Sequence, residues 1–442
     1  MNNRKIFGWS IIVSLGGFLF GFDTAVISGA EQSIQKFWNL NTVEHGFTVS
    51  IALIGTIFGA LLGSIPSDRF GRKTTLIIIA SLYLLSSLGT ALAGNWYLFL
   101  IFRFLGGVGV GASSVTAPVY IAEIAPANMR GRLVAMFQFN IVLGIVISYF
   151  SNYLIGASDA SWRWMLGVQA FPSLLFLILL RFVPESPRWL FLKRNKVEEA
   201  RRILQIINPG TSDEVLENIR NNDIEEKASG NTDQLFTKNN RFPVFLAIAF
   251  AMFNQVSGIN AIIYYAPRIF EMTGLGRSSS LLSTVGIGAV NLIFTLLAIN
   301  FIDKVGRRKL MLIGSFGLIA TLGLVAYTFY SENFRGISIT IYLLVYIAFF
   351  AFSQGAVIWV FISEIFPNQV RAKGQTLGSL THWVLAAVIA FSFPVITEKL
   401  GAGNTFLFFT IMMVAQLIFV WKIMPETKGR SLEQIEKSLV LH

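Results

Sequence analysis

The chain carries, inside a long apolar run, the polar stretch Asn254-Gln-Val-Ser-Gly-Ile-Asn-Ala-Ile-Ile-Tyr-Tyr265. The run covers residues 242–269, which is long enough for a membrane span of roughly 20 apolar residues. Amide side chains in hydrocarbon cost free energy unless they find partners. In one continuous helix, Ser257, Asn260 and Tyr264 would share a face. The stretch therefore forms either a hydrogen-bonded seam between helices or one wall of a wet cavity for an uncharged polar ligand. The number of neutral donors and acceptors favours the cavity.

The composition indicates an integral membrane protein. Of the 442 residues 54% are hydrophobic and only 13% are charged, and 40 are Phe. The mean hydropathy is +0.63, and a soluble protein could not bury that much apolar surface. The absence of cysteine excludes disulfides, zinc-thiolate sites and cysteine nucleophiles. The apolar run after Arg4 and Lys5 continues past signal-peptide length without a cleavage site, so we interpret it as the first span.

Apolar segments alternate with short polar ones, except for a charged, polar segment in the middle of the chain. We predict an all-α membrane protein with twelve transmembrane helices in two six-helix halves and a small cytoplasmic helical segment between them. The predicted divisions are an N-terminal bundle (1–184), a cytoplasmic helical linker (185–241), a C-terminal bundle (242–424) and a cytoplasmic tail (425–442). The predicted spans are 6–30, 46–67, 74–94, 96–124, 131–155, 163–183, 242–270, 279–302, 309–330, 337–366, 374–398 and 404–424.

The linker is expected to be partly folded. Its residues 197–207 read as an amphipathic helix, because Val197, Ala200, Leu204 and Ile207 are spaced by three and four residues. Residues 208–240 are rich in Asn, Asp, Gly, Ser and Thr, so we expect them to be at best partly helical.

The distribution of basic residues predicts the orientation in the membrane. With the N-terminus in the cytoplasm, 28 of the 35 lysines and arginines lie on the cytoplasmic side, six lie on the other side and Arg103 lies within a span. This asymmetry is the positive-inside pattern, with both termini cytoplasmic. The net charge of +11 therefore orients the protein and faces anionic lipid, which argues against a nucleic-acid partner.

Short motifs of the first half recur in the second half. Asp68-Arg-Phe-Gly-Arg-Lys73 recurs as Asp303-Lys-Val-Gly-Arg-Arg308, and Glu123-Ile-Ala-Pro-Ala-Asn-Met-Arg130 recurs as Glu364-Ile-Phe-Pro-Asn-Gln-Val-Arg371. Pro184-Glu-Ser-Pro-Arg188 has a looser copy that begins at Pro425. Two six-helix halves in the same orientation form a parallel repeat, the architecture of a major facilitator transporter with its site near the midplane.

An intramembrane carboxylate is a functional hypothesis by default, and Asp23 lies roughly 25 Å into the first span at 1.5 Å per residue. Its expected partner is Arg103, the one basic residue placed clearly within a span. A buried carboxylate beside an arginine can change its protonation state when the pair opens. The alternatives are proton coupling and a permanent bridge that only fixes helix packing, and we favour proton coupling.

The repeated loops carry candidate gate residues. Gly71 permits a tight turn between spans, and the acidic residues can cap helices or pair with arginines. Glu123 with Arg130, and Glu364 with Arg371, flank helix ends at the cytoplasmic face, and Glu185 and Arg188 add another pair. The predicted salt bridges that close the cytoplasmic side involve Asp68, Arg72, Glu123, Arg130, Glu185, Arg188, Asp303, Arg307, Glu364 and Arg371.

Further neutral groups fit a sugar site. Gln138 and Asn291 supply amides, while Trp359 and Trp383 offer flat apolar faces with one donor each, as the C–H faces and hydroxyls of a sugar require. His382, beside Trp383, is either a hydrogen-bonded structural residue or part of the site.

Together these motifs resemble the sugar porter branch of the major facilitator superfamily, over nearly the whole chain. The signatures are Gly21-Phe-Asp23, Asp68-Arg-Phe-Gly-Arg72, Arg103-Phe-Leu-Gly-Gly107, Pro184-Glu-Ser-Pro-Arg-Trp-Leu190, Gln255-Val-Ser-Gly-Ile-Asn260 with Tyr264-Tyr265, and Pro425-Glu-Thr-Lys-Gly429. The chain is most similar to bacterial pentose or hexose–proton symporters, which in turn are similar to animal glucose facilitators.

The resemblance implies roles for particular residues. Asp23 and Arg103 match the pair tied to proton coupling. Two departures touch the pocket and leave the identity of the sugar open: Asn254 stands where the family usually has Gln, and His382 where xylose symporters tend to carry an amide. With those two, the implied substrate-binding residues are Phe20, Gln138, Asn254, Gln255, Asn260, Tyr264, Asn291, Gly355, Trp359, His382 and Trp383.

The predicted function is uptake of a monosaccharide, a pentose or hexose, by proton symport through alternating access. The alternative is a proton-independent sugar uniporter. A membrane sugar sensor ranks lower, because the segments outside the spans at the two ends are only about five and eighteen residues long. No nucleophile–base pair or metal cluster stands out, so we expect no enzyme activity, cofactor or metal. We expect the protein to work as a monomer in the plasma membrane, in contact with lipid.

Overall fold

The computed structural model describes residues 3–126, 129–156, 161–207, 209–228, 234–332, 334, 337–367 and 370–429. Within those ranges the chain forms eighteen α-helices and two short 3₁₀ turns, and no strand occurs in them. Most of the predicted tail, residues 430–442, lies outside the described residues, and so do residues 208 and 229–233 of the linker.

The first half of the chain contains the predicted six spans. The helices α7 and α8, with a 3₁₀ turn at Leu180–Phe182, together form the sixth span. The first helix continues seven residues beyond the predicted end at residue 30. The helices are α1 (Asn3–Phe37), α2 (Thr42–Leu62), α3 (Ser64–Phe70), α4 (Arg72–Leu92), α5 (Trp96–Ile124), α6 (Arg130–Ile155), α7 (Trp162–Gly167) and α8 (Ala170–Leu179).

Three helices follow in the linker: α9 (Pro187–Arg194), α10 (Val197–Ile207) and α11 (Ser212–Ala228). The Ser186 side chain accepts a hydrogen bond from the Trp189 N–H and so caps the start of α9. The predicted amphipathic helix is confirmed as α10, which buries Ala200, Leu204 and Ile207.

The second half contains α12 (Arg241–Val256), α13 (Ile259–Glu271), α14 (Arg277–Val305), α15 (Arg307–Ser331), α16 (Ser338–Phe352), α17 (Gln354–Glu364) and α18 (Arg371–Lys422). The last of these runs for 52 residues, but Gly401 inside it has a φ of 82°, so two helices meet there at a kink. The described chain has eleven helical segments that are long and apolar enough to span a membrane. Because α18 counts as two spans, the predicted twelve-span fold is confirmed.

The opening stretch is not one continuous helix. Gly258 has a φ of 85° and separates α12 from α13, because a left-handed residue cannot continue a right-handed helix. The Ser257 hydroxyl donates to the Asn254 carbonyl at 2.7 Å, and the Tyr346 hydroxyl donates to the Ser257 carbonyl at 2.9 Å. The expectation that Ser257 shares a helix face with Asn260 and Tyr264 was therefore wrong.

The chain divides by packing into two compact units. The first unit comprises residues 1–24, 54–148 and 166–233, and the second comprises 25–53, 149–165 and 234–442. The division passes through α1 after Thr24. The predicted division of the chain into consecutive segments stays a prediction.

Small residues let the helices of the first unit approach closely. An added Cβ at Gly21 of α1 would lie 1.8 Å from the Ile141 carbonyl oxygen of α6. One at Gly111 of α5 would lie 2.2 Å from the Thr56 carbonyl oxygen of α2. Backbone approach of this kind is how helices associate where no water is present to drive hydrophobic burial.

Aromatic rings fill the core of the second unit. Phe250 of α12 stacks on Phe361 of α17 with ring centroids 4.4 Å apart, and its edge meets Phe419 of α18 at 5.7 Å. Their contacts fix α12 against α17 and α18, next to the polar end of α12.

Candidate functional site

An amide cluster forms at the break between α12 and α13. Gln255 is fully buried, and its Nε2 donates to Asn254 Oδ1 at 2.9 Å and lies 3.0 Å from His382 Nδ1 of α18. Asn260 Nδ2 donates to Gln255 Oε1 at 2.6 Å. The turn at Gly258 brings Asn260 back onto Gln255, which a straight helix would not do. The cluster is a compact set of uncharged donors and acceptors.

Two tryptophans flank this cluster. The Trp359 ring of α17 and the Trp383 ring of α18 lie 5.0 Å and 4.9 Å from the His382 ring. Trp359 is 37% exposed, so part of its side chain is left open. An apolar ring face next to neutral hydrogen-bonding groups suits a ligand with both C–H and hydroxyl surfaces.

The remaining predicted sugar-site residues are placed as follows. Tyr264, Asn291 and Gly355 belong to the same unit, on α13, α14 and α17. Asn291 Oδ1 accepts only a long hydrogen bond, of 3.5 Å, from Thr295. Phe20 on α1 and Gln138 on α6 belong to the first unit.

Asp23 and Arg103 form a buried ion pair in the first unit. Arg103 Nη1 lies 3.1 Å from Asp23 Oδ1, and Arg103 Nη2 donates to the Asp23 carbonyl at 3.4 Å. Both residues are about 1% exposed. Gly106 lies one turn beyond Arg103, and an added Cβ there would clash with the Ser86 side chain of α4, so the glycine lets α5 approach α4 beside the pair. The Arg103 Nε is buried and has no hydrogen-bond partner, so the pair is only partly satisfied.

The repeated motifs form repeated ion pairs, one set in each unit. Arg72 binds Glu123 through Nε and Nη2 at 3.0 and 3.1 Å, and Arg307 Nη2 binds Glu364 Oε1 at 2.8 Å. Asp68 and Asp303 each lie 2.9 Å from the same arginines.

Two expected pairings are replaced by these contacts. The motifs associated Glu123 with Arg130 and Glu364 with Arg371 at helix ends of the cytoplasmic face, as members of a set of inter-helix salt bridges. Arg72 and Arg307 take the carboxylates instead, because the glycine turns bring the start of the next helix against them. Arg371 Nη2 donates to the Phe366 carbonyl at 3.4 Å.

Glu185 also differs from its expected pairing with Arg188. Its carboxylate accepts the backbone N–H groups of Arg72, Lys73 and Ser186 at 2.8–3.0 Å, at the start of α4. Burial raises the pKa of the Glu185 carboxyl, and the backbone N–H groups and the charge of Arg72 oppose that rise. A carboxylate at a helix N-terminus also interacts favourably with the helix dipole.

Sequence reasoning missed the matching residue of the second half. Glu426 accepts the N–H groups of Arg307 and Arg308 at 3.0 and 3.1 Å, at the start of α15. The loose repeat of Pro184-Glu in Pro425-Glu was the signal that could have found it.

A second omission concerns Glu31, His45 and Arg268, which bond to one another inside the second unit. Arg268 was counted among the six basic residues on the non-cytoplasmic side, at the end of the predicted span 242–270, and Glu31 lies just after the predicted first span. The structure places Glu31 within α1 and Arg268 in the last turn of α13, inside the membrane-spanning segment Arg241–Glu271, so Arg103 is not the only basic residue inside a span.

Twelve spans, two repeated halves and an uncharged polar site together define a multi-pass membrane transporter. Residues 9–439 match the family model described as Sugar (and other) transporter, and the chain belongs to this family. It is a transporter of the plasma membrane with a major facilitator fold, and not an enzyme.

Named relatives cover almost all of the chain. A D-xylose transporter of Levilactobacillus brevis is 39% identical over 96% of this chain and 94% of its own length. An arabinose-proton symporter of Bacillus subtilis (strain 168) is 39% identical over 97% of this chain and 95% of its own. The inward-open structure of the xylose transporter XylE from E. coli covers 98% of this chain and 99% of its own, with a TM-score of 0.86 and 35% identity.

Proposed function

We propose that this protein takes up a monosaccharide, a pentose or a hexose, together with a proton, by alternating access. Membership of the sugar transporter family and the names of the relatives, a D-xylose transporter and an arabinose-proton symporter, support the substrate and the coupling. The observation that carries the proposal is the buried Asp23–Arg103 pair, because an isolated ion pair at this depth is costly unless it has a use.

The proton would act at the Asp23 carboxylate. When ionised, it holds Arg103 at 3.1 Å. When protonated, it loses the charge–charge attraction, and α1 is released from α5. Asp23 would exchange protons with the side of the membrane to which the transport path is open. Proton uptake and release would therefore be coupled to the change of access.

The sugar would bind the amide cluster of the second unit. Gln255, Asn260 and Asn254 would hydrogen-bond hydroxyl groups, and the exposed part of the Trp359 side chain would pack against a C–H face of the ring. A neutral site has no counter-charge for an ionic substrate, which supports an uncharged sugar.

The orientation follows from the basic residues, with both termini and the linker helices in the cytoplasm. We also propose that a single chain suffices for transport, because the repeat supplies two halves within one polypeptide.

The test is sugar-driven proton movement. Purified protein is reconstituted into vesicles, and the external pH is followed while a sugar gradient is applied. The wild-type protein should alkalinise the medium, and Asp23→Asn should abolish this proton movement while retaining sugar counterflow.

The matched control is Asp213→Asn, which removes an exposed carboxylate that binds Arg201 in the linker and should leave both activities unchanged. Sugar transport by the wild type without any proton movement would leave a uniporter.

A further inference from the structure

Three buried hydroxyl groups of the first unit have no hydrogen-bond partner among the residues that the structure describes. They belong to Tyr83 of α4 and to Ser113 and Thr116 of α5, and none of the three residues is exposed. Ser114, the neighbour of Ser113, instead donates to the Gly111 carbonyl at 2.7 Å, which is a common way for a helical serine to satisfy its hydroxyl. We call Tyr83, Ser113 and Thr116 the hydroxyl line.

Tyr83 lies between the Asp23–Arg103 ion pair and the rest of the hydroxyl line. Its side chain interacts with the charge of Asp23 and, at the hydroxyl, with Ser113, although the geometry between the two hydroxyls is not that of a hydrogen bond. The Tyr83 ring lies beside Gly109 of α5, where an added Cβ would be 3.6 Å from Tyr83 Cε1. Gly109 comes between Arg103 and Ser113 along α5, so the tyrosine covers the gap between the ion pair and Ser113.

One face of α5 continues the hydroxyl line towards the cytoplasmic end of the helix. Ser113, Thr116 and Tyr120 follow Gly109 at i+4, i+7 and i+11, which places all four residues on one face. Ser113 and Tyr120 are separated by seven residues, or roughly 10 Å. The Tyr120 hydroxyl donates to the Pro184 carbonyl at 2.7 Å, so the polar face reaches the end of the sixth span.

The polar face ends at the ion pairs of the predicted cytoplasmic side. Tyr120 interacts with the charges of Glu123 and Glu185, and Glu123 binds Arg72 at 3.0 Å. The side chain of Glu123 is 10% exposed, whereas that of Asp23 is only 2% exposed. The hydroxyl line therefore leads from a carboxylate that is shut off from water towards groups at the edge of the first unit.

The backbone of α1 lies against the same face of α5. An added Cβ at Gly16 would lie 2.7 Å from Ser113 Oγ, so the Ser113 hydroxyl is placed between the two helices. Asp23 lies seven residues after Gly16, on the same face of α1 and roughly 10 Å further along it. Asp23 and Ser113 thus belong to one interface, and Tyr83 from α4 reaches into it between them.

Hydroxyls on the other side of the ion pair are already in use. Thr90 of α4, which lies nearer the non-cytoplasmic end, donates to the Ser86 carbonyl at 2.7 Å, and Ser87 donates to the Leu84 carbonyl at 3.0 Å. Groups satisfied within their own helix are poorly placed to accept a passing proton. The unused hydroxyls point to the cytoplasmic side as the direction of proton movement from Asp23.

We propose that the hydroxyl line, with water molecules between its oxygens, carries the proton of Asp23 to the cytoplasmic side. The proposal rests on the proposed symport and orientation and adds the exit route of the proton. Buried oxygens that lack protein partners are where proteins hold internal water, and polar groups in line with an intramembrane carboxylate mark proton relays.

The transfer leaves the hydroxyl line unchanged. The Asp23 carboxyl gives its proton to the first oxygen, each hydroxyl or water then accepts one proton and passes on another, and the last proton leaves to cytoplasmic water. The carboxylate that remains restores the ion pair with Arg103.

Net uptake and exchange of sugar separate proton release from the other steps of transport. In net uptake, Asp23 must release a proton towards the cytoplasmic side in every cycle. Exchange of labelled for unlabelled sugar only returns the loaded, protonated protein and needs no release. Both rates are measured on the same reconstituted vesicles with labelled D-xylose, or with labelled D-glucose if the wild type prefers the hexose.

Tyr83→Phe and Thr116→Val keep the shape of each side chain and remove only its hydroxyl. Because neither hydroxyl has a partner, the substitution breaks no hydrogen bond and should not lower the melting temperature. Net uptake should fall about tenfold in each variant, whereas exchange should stay within about twofold of the wild type. The control Thr90→Val removes a buried hydroxyl that is bonded within α4 and should leave both rates unchanged.

A wild-type ratio of net uptake to exchange in either Tyr83→Phe or Thr116→Val would overturn the proposal. An equal fall in both rates would also overturn it, because the hydroxyls would then act on sugar binding or on the change of access. Sugar transport by the wild type without proton movement counts against the proposed function and removes the hydroxyl line with it. Normal coupling in the wild type together with unaffected variants counts against the hydroxyl line alone.

Discussion

At the scale of single residues, Gln255 has every polar atom in use. Its Nε2 meets Asn254 and His382, and its Oε1 accepts from Asn260. A bound sugar hydroxyl must therefore replace one of these internal hydrogen bonds. Because one hydrogen bond is lost for each one formed, the net gain in binding free energy from each exchange is small.

Replacing Gln255 with Ala should lower sugar affinity about 10- to 100-fold, since it removes hydrogen bonds to the ligand and leaves Asn260 without its acceptor. Binding can be measured by isothermal titration on detergent-purified protein. The control is Asn300→Ala, an exposed amide of α14 that donates only within its own helix. Unaltered affinity in Gln255→Ala, with the protein still folded, would remove the amide cluster from the sugar site.

At the scale of elements, the break between α12 and α13 decides the geometry of the site. Gly258 adopts a φ of 85°, and an added Cβ would lie 2.6 Å from Phe409 Cδ2 of α18. Only glycine adopts this φ without strain, and only glycine leaves the space that Phe409 occupies. The break turns Asn260 back towards Gln255 and leaves Ser257 bound to Tyr346.

Gly258→Ala should therefore lower the melting temperature by several degrees and weaken sugar binding, because the strained backbone or a displaced Phe409 would separate Asn260 from Gln255. Thermal unfolding followed by intrinsic fluorescence measures the first effect. Gly276→Ala is the control, since Gly276 has no atom within 4 Å of an added Cβ and does not have a positive φ. Equal melting temperatures for the two variants would contradict this account of the break.

At the scale of the whole molecule, the asymmetry of basic residues sets the predicted orientation. In intact cells, a membrane-impermeant maleimide should label Gly94→Cys, in the exposed loop between α4 and α5, and should not label Lys196→Cys in the linker. Permeabilisation should make both accessible. Labelling of Lys196→Cys from outside would reverse the orientation.

Much of this protein could be predicted from local sequence. Apolar segment length determines the twelve spans, because each must cross the hydrocarbon without other help. The repeated Asp-x-x-Gly-Arg motifs of Asp68 and Asp303 indicated the two related halves. Asp23 stood out because a carboxylate inside a span is rare and costly, and its partner followed because Arg103 was the one cation recognised in a span.

Only the tertiary structure decided which residues meet across the chain. Nothing local distinguishes Arg72 from Arg130 as the partner of Glu123, since the choice depends on which helix ends pack together. The same holds for Glu31, His45 and Arg268, which are far apart in sequence and whose meeting depends on the packing of α1, α2 and α13. Segment length and polarity act on each span separately, so the sequence alone determined the spans. Partner choice and the break at Gly258 depend on contacts between spans, so they required the folded structure.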